Sequence, residues 1–337
     1  MTHLRLNPVS KFQSMTRRKF FARTNVMIFF VPIVLILVFL CARYPARECS
    51  PNEQMILDSK PKYRLIILIL SSPDNLERRN IIRKTWLADR GHDAMMRHFF
   101  VIGTQDILPE QRNTLQSEKE KFDDLLLLPQ LQDSYGILTK KVLYALKAIY
   151  ERYNFDFLLK CDDDSYILVH KILKELDRWQ NKGTRRELYW GFFNGRAHVK
   201  RSGPWKETDW ILCDYYLPYA LGGGYVLSYN LVKFIANNAD ILKLQNSEDI
   251  SVGLWLAPLA NIERKHDIRF DTEYRSRGCS NQYIITHKQT IQSMRSMHEY
   301  YQASGALCSK EVKNRMSYQY NWTAPPSQCC NRQSGIP

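Results

Sequence analysis

The chain has 337 residues, 45% of them hydrophobic, which is room for one large domain or two small ones and rules out a mini-protein. The net charge is +14, but Arg5, Lys11, Arg17, Arg18, Lys19 and Arg23 all precede the first acidic residue, leaving +8 for the rest. The body of the chain has no basic tract, no zinc-finger spacing and no stacked-aromatic RNA motif, so nucleic acid is excluded as a partner.

Residues 1–25 read as a basic cytosolic tail and residues 26–42 as an uncharged apolar run interrupted only by Pro32. Seventeen residues at about 1.5 Å each span roughly 25 Å, the short limit for a membrane helix. Six cations before the run, against four cations and three acids in the twenty residues after it, put the N-terminus in the cytosol. A cleaved signal peptide fits less well, because Cys41-Ala42-Arg43-Tyr44-Pro45-Ala46 offers a poor cleavage site, and a core helix would not stand alone behind a basic tail. The expectation is a single type II signal-anchor, followed by a stem over 43–62 and a luminal domain over 63–337. A luminal domain can form disulfides and can be glycosylated at the one sequon, Asn321-Trp322-Thr323. Seven cysteines would lie there. Cys161 is the candidate free thiol, and the adjacent Cys329 and Cys330 are expected to bond outward rather than to each other.

The stretch 63–72 is an aliphatic run of strand length, as expected of a central parallel strand. Helical spacing follows over 77–87, a strand over 98–103, a helix opened by its proline over 109–122 and a strand over 124–129. An amphipathic helix over 139–153 precedes a strand over 155–160. This alternation predicts an α/β protein with a parallel sheet and ligands at the carboxyl ends of its strands. Further on, 188–193 reads as a strand, and 218–228 leads into a helix over 230–242. Ser247 reads as the N-cap of a helix with Glu248 and Asp249 in its first turn.

Asp162, Asp163 and Asp164 close the strand over 155–160. Three adjacent carboxylates in a buried position raise one another's pKa and need a cation to stay ionised together. A divalent metal with a nucleotide diphosphate is the simplest answer, and an acidic turn or helix cap is the bland one. Gly222, Gly223 and Gly224 lie among apolar residues, which suits a backbone closely approached by a ligand or another strand, or a tight bend. Asp249 in a first helical turn either complements the helix dipole or serves as a general base. His287 could complete a metal shell; His266 with Asp267 is its rival.

These segments in this order resemble the β-1,3-glycosyltransferases of glycosyltransferase family 31. The matching motifs are Arg79-x-x-Ile82-Arg83-x-Thr85-Trp86, Phe100-Val-Ile-Gly103, Asp133-x-Tyr135 with Leu138-Thr139-x-Lys141, the aspartate triplet, Gly222-Gly-Gly-Tyr-Val-Leu-Ser228 and Glu248-Asp249-Ile250. The family usually has Asn-Leu-Thr where Gly136-Ile137 precede Leu138-Thr139 here, and commonly alanine at Cys161. The resemblance implies a GT-A fold, meaning a Rossmann-like mixed sheet with flanking helices, in a Golgi membrane enzyme. It also implies UDP-galactose as donor and Mn²⁺ as cofactor, with Mg²⁺ the alternative. Within the family, Tyr189-Trp-Gly-Phe-Phe193 and Ala324-Pro-Pro-Ser-Gln-Cys-Cys330 are similar to enzymes that add galactose to galactosyl-β-1,4-xylosyl-serine of proteoglycan core proteins. Other enzymes of that pathway would be the associated partners.

Carried over by residue, the resemblance makes Asp164 the principal metal ligand, with Asp162 and His287. Arg79, Arg83, Lys141, Asp162, Asp163 and Gly222 to Gly224 would serve the donor. Asp249 would be the base, and Trp190, Tyr219 and Glu248 would meet the acceptor. The rivals are a family member with another donor or a glycolipid acceptor, and a non-catalytic glycan-binding or chaperone protein.

Overall fold

The computed structural model describes residues 59–336 apart from 89–94 and 211. The expected tail, the anchor over 26–42, nearly all of the stem, and Cys49 lie outside the described residues. Among those described, no helix is long and apolar enough to cross a membrane.

A seven-stranded mixed sheet runs in the order β3-β2-β1-β4-β7-β6-β8. Its parallel half consists of β1 (Lys62–Leu70), β2 (Met96–Gly103), β3 (Leu125–Leu128) and β4 (Asn154–Asp162). Helices α1 (Leu76–Lys84), α2 (Pro109–Phe122) and α3 (Leu138–Arg152) alternate with them. Leu65 to Ile69 of β1 are at most 1% exposed, because a central parallel strand is covered on both faces and so needs an unbroken aliphatic run. α3 turns Val142, Leu143, Ala145, Leu146 and Ile149 to the core at helical spacing.

The second half adds β5 (Tyr166–Ile167), α4 (Val169–Asn181), β6 (Glu187–Asn194), β7 (Tyr219–Ser228), α5 (Tyr229–Asn237), α6 (Glu248–Leu256), β8 (Ile262–His266) and β9 (Phe270–Asp271). It ends with β10 (Gly278–Cys279), β11 (Ile285–Thr286), α7 (Ile291–Ser304) and β12 (Val312–Lys313). The strand–helix alternation predicts the parallel half alone, and β7, which pairs antiparallel with both β4 and β6, makes the sheet mixed, as the resemblance implies. The triple glycine is therefore mid-strand, and β7 leads directly into α5, as expected, although that helix ends at Asn237 and not at 242. A small sheet β5-β11-β9 lies at the end of β4, with β5 following directly on the aspartate triplet.

The connection from β6 to β7 packs Val199, Trp210 and Tyr216 together with Tyr219 and with Ile250 of α6. Cys161 is a buried free thiol, as expected, and Cys213 is free and exposed. Cys279 bonds to Cys308. Cys329 bonds to its neighbour Cys330, against the outward pairing expected of adjacent cysteines.

Candidate active site

The site forms where β4 ends. Register pairs Leu70 with Asp162 on one side of β4 and Cys161 with Gly224 on the other, so the triplet emerges between β1 and β7. From β11 the chain then delivers His287, whose backbone N–H donates to the Asp271 carbonyl (2.9 Å). One ligand atom each from Asp162, Asp164 and His287 lie within 4.8 Å of one another. His287 Nε2 is 2.8 Å from Asp164 Oδ1 and 3.4 Å from Asp162 Oδ2. Neither His287 Nε2 nor Asp164 Oδ1 takes part in a directed hydrogen bond, although both are buried. Burial alone would lower the His287 pKa, yet the two carboxylates reverse it and lift it to about 9. Three side chains that converge in this way call for positive charge at their centre, and a divalent cation fits two carboxylates and an imidazole.

Lys160, two residues upstream, was not singled out by sequence, although a lysine inside an aliphatic strand is itself a signal. Its buried ammonium donates to Asp162 Oδ1 (2.9 Å), to the Gly222 carbonyl (2.7 Å) and to Glu248 Oε1. Burial opposes its charge, but Asp162 and Glu248 outweigh that and raise its pKa. Glu248 also accepts from the Tyr225 hydroxyl (3.0 Å), and burial pushes its pKa up to about 7. Being 6% exposed and held at both oxygens, Glu248 is a strut rather than the acceptor contact expected of it.

Asp249, half-buried at the start of α6, accepts from Gly222 N–H (3.1 Å) and Ile250 N–H (2.9 Å). Burial is the largest influence and raises its pKa, which favours proton uptake. The glycines are explained by their neighbours. A Cβ on Gly222 would lie 2.6 Å from Glu248 Oε1, one on Gly223 2.7 Å from the His287 ring, and one on Gly224 2.9 Å from Ile285. The close approach is thus by the site's own side chains.

Other expected residues have different partners. Arg79 is fully buried, paired with Glu118 through Nε and Nη2 (2.8 Å each) and donating to the Ser72 carbonyl, so it braces the β1–α1 turn instead of lining the nucleotide. Arg83 joins Glu118 and Asp124 and lies over the Phe100 and Phe122 rings. Lys141 is buried and bonded to Asp133 (2.7 Å) and the Ser71 carbonyl. Asp163 turns away from His287 and accepts from Ser71 Oγ and Asn75 Nδ2, both at 2.8 Å, fixing the start of α1. Trp190 is 1% exposed and donates to Asp267 (3.0 Å), and Tyr219 is buried against Gly253, so neither is open to an acceptor.

His266 is no metal ligand. Its Nδ1 accepts from Phe193 N–H, its Nε2 faces the Tyr318 carbonyl at 3.0 Å, and burial drives its pKa down to about 4. Arg78 and Lys288 were missed: Arg78 donates to the Gln289 carbonyl (3.2 Å), and Lys288 Nζ stands 3.4 Å from Asp164 Oδ2. Asn321 is exposed, with its side-chain oxygen accepting from Thr323 N–H and Oγ1.

A strand-end carboxylate pair with an imidazole, beside a separate aspartate, is the equipment of a glycosyltransferase, and the chain is one. It belongs to the galactosyltransferase family, whose model matches residues 77–267. It is 47% identical over 298 residues to "Beta-1,3-galactosyltransferase 6" of Mus musculus, covering 88% of this chain and 91% of that protein. It is 31% identical over 243 residues to "Hydroxyproline O-galactosyltransferase GALT2" of Arabidopsis thaliana, covering 69% of this chain but only 34% of that longer protein. Among solved structures, S. aureus TarS 1-349 aligns over 60% of this chain and 58% of its own with 16% identity and a TM-score of 0.36, too slight a likeness to bear on function. Family membership implies a nucleotide-sugar donor.

Proposed function

We propose that the chain is an inverting, metal-dependent β-1,3-galactosyltransferase of GT-A type. It takes galactose from UDP-galactose and places it on the 3-hydroxyl of galactosyl-β-1,4-xylosyl-serine in proteoglycan core proteins. The observation that carries this reading is the 47% identity to a β-1,3-galactosyltransferase along nearly the whole chain, with Asp162, Asp164, His287 and Asp249 gathered at one strand end. The apolar run over 26–42 behind a basic tail supports a type II anchor in the Golgi membrane, with the catalytic domain in the lumen.

Asp162, Asp164 and His287 would hold Mn²⁺ or Mg²⁺, which when bound supplies charge to the donor diphosphate. The chain's own groups perform the rest. Asp249 takes the proton from the acceptor 3-hydroxyl as that oxygen attacks the anomeric carbon opposite the leaving UDP. Lys160 fixes the distance between the two halves of the site, because one ammonium holds Asp162, the Gly222 carbonyl and the Glu248 beside Asp249. Gly222 N–H keeps one oxygen of Asp249 in place.

The deciding experiment offers the full-length protein in detergent with Mn²⁺ a panel of UDP-sugars and a galactosyl-β-1,4-xyloside. Transfer of galactose in a β-1,3 linkage is expected. Preference for another sugar donor, or transfer only to a glycolipid, would replace this reading with that of another family member.

A further inference from the structure

Lys288, next to His287, is one of three non-glycine residues with a left-handed backbone among the described residues, at φ +63°. Long side chains avoid that region, and where they occupy it the surroundings must enforce the conformation. Here they do. On one side His287 N–H is tied to the Asp271 carbonyl. On the other Gln289 N–H donates to the Asp164 carbonyl (2.8 Å), and the Gln289 amide donates to Thr286 Oγ1 (3.1 Å) and the His287 carbonyl (3.0 Å).

The turn aims the Lys288 ammonium at the metal-binding carboxylates. It lies 3.4 Å from Asp164 Oδ2 and 6.0 Å from the centroid of the Tyr274 ring, which is itself 82% exposed. The side chain of Lys288 is 45% exposed, so its charge borders the open mouth of the site. Lys160 cannot play that part, since it is buried and already engaged with three acceptors. Arg78 has a guanidinium nitrogen bonded to the Gln289 carbonyl.

Resting on the reading that a UDP-sugar is the donor, we infer that Lys288 binds the distal phosphate of the donor diphosphate and holds it as it leaves. A hard cation held by Asp162, Asp164 and His287 would call for further oxygen ligands, which a diphosphate offers. The Lys288 ammonium, 3.4 Å from Asp164 Oδ2, would stand beside a diphosphate drawn to those carboxylates by the cation. During transfer the acceptor oxygen bonds to the anomeric carbon and gives its proton to Asp249. The bond from that carbon to the distal phosphate oxygen breaks, and its electron pair stays on the phosphate. Lys288 keeps its proton throughout and donates to the phosphate as negative charge builds there.

The test is calorimetric binding of UDP and of UMP, each with Mn²⁺, to the full-length protein and its Lys288→Met, Lys288→Gly and Lys288→Arg variants. Glycine accepts the left-handed backbone without strain, so Lys288→Gly separates loss of the ammonium from loss of the turn. Loss of a charge-assisted hydrogen bond should weaken UDP binding about 10- to 100-fold in the Met and Gly variants. UMP binding should stay within about twofold, and arginine should restore most of the UDP affinity. An equal loss for UDP and UMP would make Lys288 a mere support for Asp164 and overturn the inference, as would unchanged preference for UDP over UMP. Wild-type protein that binds no UDP with Mn²⁺ would instead overturn the donor reading, and this inference with it.

Discussion

Lys160 on β4 and Glu248 on α6 form a buried ion pair across 88 residues of chain, and it ties the strand bearing the proposed metal ligands to the helix bearing the proposed base. Glu248 is also bonded to Tyr225, so it cannot swing toward a substrate, whereas its neighbour Asp249 is held by backbone N–H groups alone.

That contrast makes Asp249→Asn the cleanest probe of the chemistry. Asparagine keeps the size and removes the proton affinity. Steady-state kinetics should show kcat lower by about 10² to 10⁴, the usual worth of a general base. UDP affinity with Mn²⁺, measured by calorimetry, should change by less than about twofold. Retained turnover would move the base elsewhere.

Asp164→Ala should abolish both transfer and Mn²⁺-dependent UDP binding, because it removes a hard oxygen ligand facing His287 at 2.8 Å. His287→Ala should weaken both less severely. Circular dichroism should show both variants folded, and a chelator should reproduce the loss of UDP binding in the wild type.

Gly223→Ala tests the close approach of β7 to the metal site. The added methyl would meet His287 Cγ at 2.7 Å and Nδ1 at 2.8 Å, so the imidazole must shift. Mn²⁺-dependent UDP affinity should fall about tenfold or more, since disturbing the surroundings that orient a metal ligand typically costs about 10- to 100-fold. Thermal unfolding would check that the sheet survives.

Arg79→Met should act on stability. Removing its charge-assisted hydrogen bonds costs about 1.5–3 kcal/mol, because Arg79 is 0% exposed while Glu118, 3% exposed, keeps Arg83 as a partner. Urea unfolding should show that loss, while the folded fraction binds UDP like the wild type. A selective loss of UDP affinity would restore Arg79 to the nucleotide.

Acid should destabilise the fold through Asp124. Burial would raise its pKa, but hydrogen bonds from His98 and Arg83 bring it down to about 2. A depressed carboxyl pKa contributes stability that is complete above the unfolded value near 4 and is lost as pH falls through 2. Of order 2 kcal/mol is involved, roughly 1.4 for each pKa unit. Unfolding free energies measured between pH 5 and 2 should drop less steeply in Asp124→Asn than in the wild type.

Much of the first half was legible because local pattern and tertiary role agree there. The aliphatic run of β1, the proline opening α2 and the period of α3 each announce one element, and the triplet ends the strand expected to carry it. β7 was not read as a strand, because three glycines suppress its propensity and are tolerated only for packing that distant residues impose. Helix α4 was passed over although Val169, Ile172, Leu176 and Trp179 recur at helical spacing. At the site, the motif arginines suggested a nucleotide, since nothing in the sequence tells that Glu118, thirty-nine residues on, takes Arg79. Residue type made His287 a candidate ligand, but only the resemblance preferred it to His266; the sheet that carries it to the triplet has strands two residues long, too short to leave a pattern.

The reversed direction of β7 decides where the connection from β6 sits. Because β6 runs with β4 and β7 runs back, residues 195–218 leave and re-enter the sheet at the very edge where the triplet stands. They rest on α6 beside Asp249, through the cluster around Trp210 and Ile250. Lengthening this excursion breaks no rung of the seven-stranded sheet, while Lys206 and Glu207, which accept from Asn246, tie it to the start of α6. The fold therefore hangs a twenty-four-residue excursion outside the ladder of the sheet, like an awning above the end at which Asp162, Asp164 and Asp249 stand.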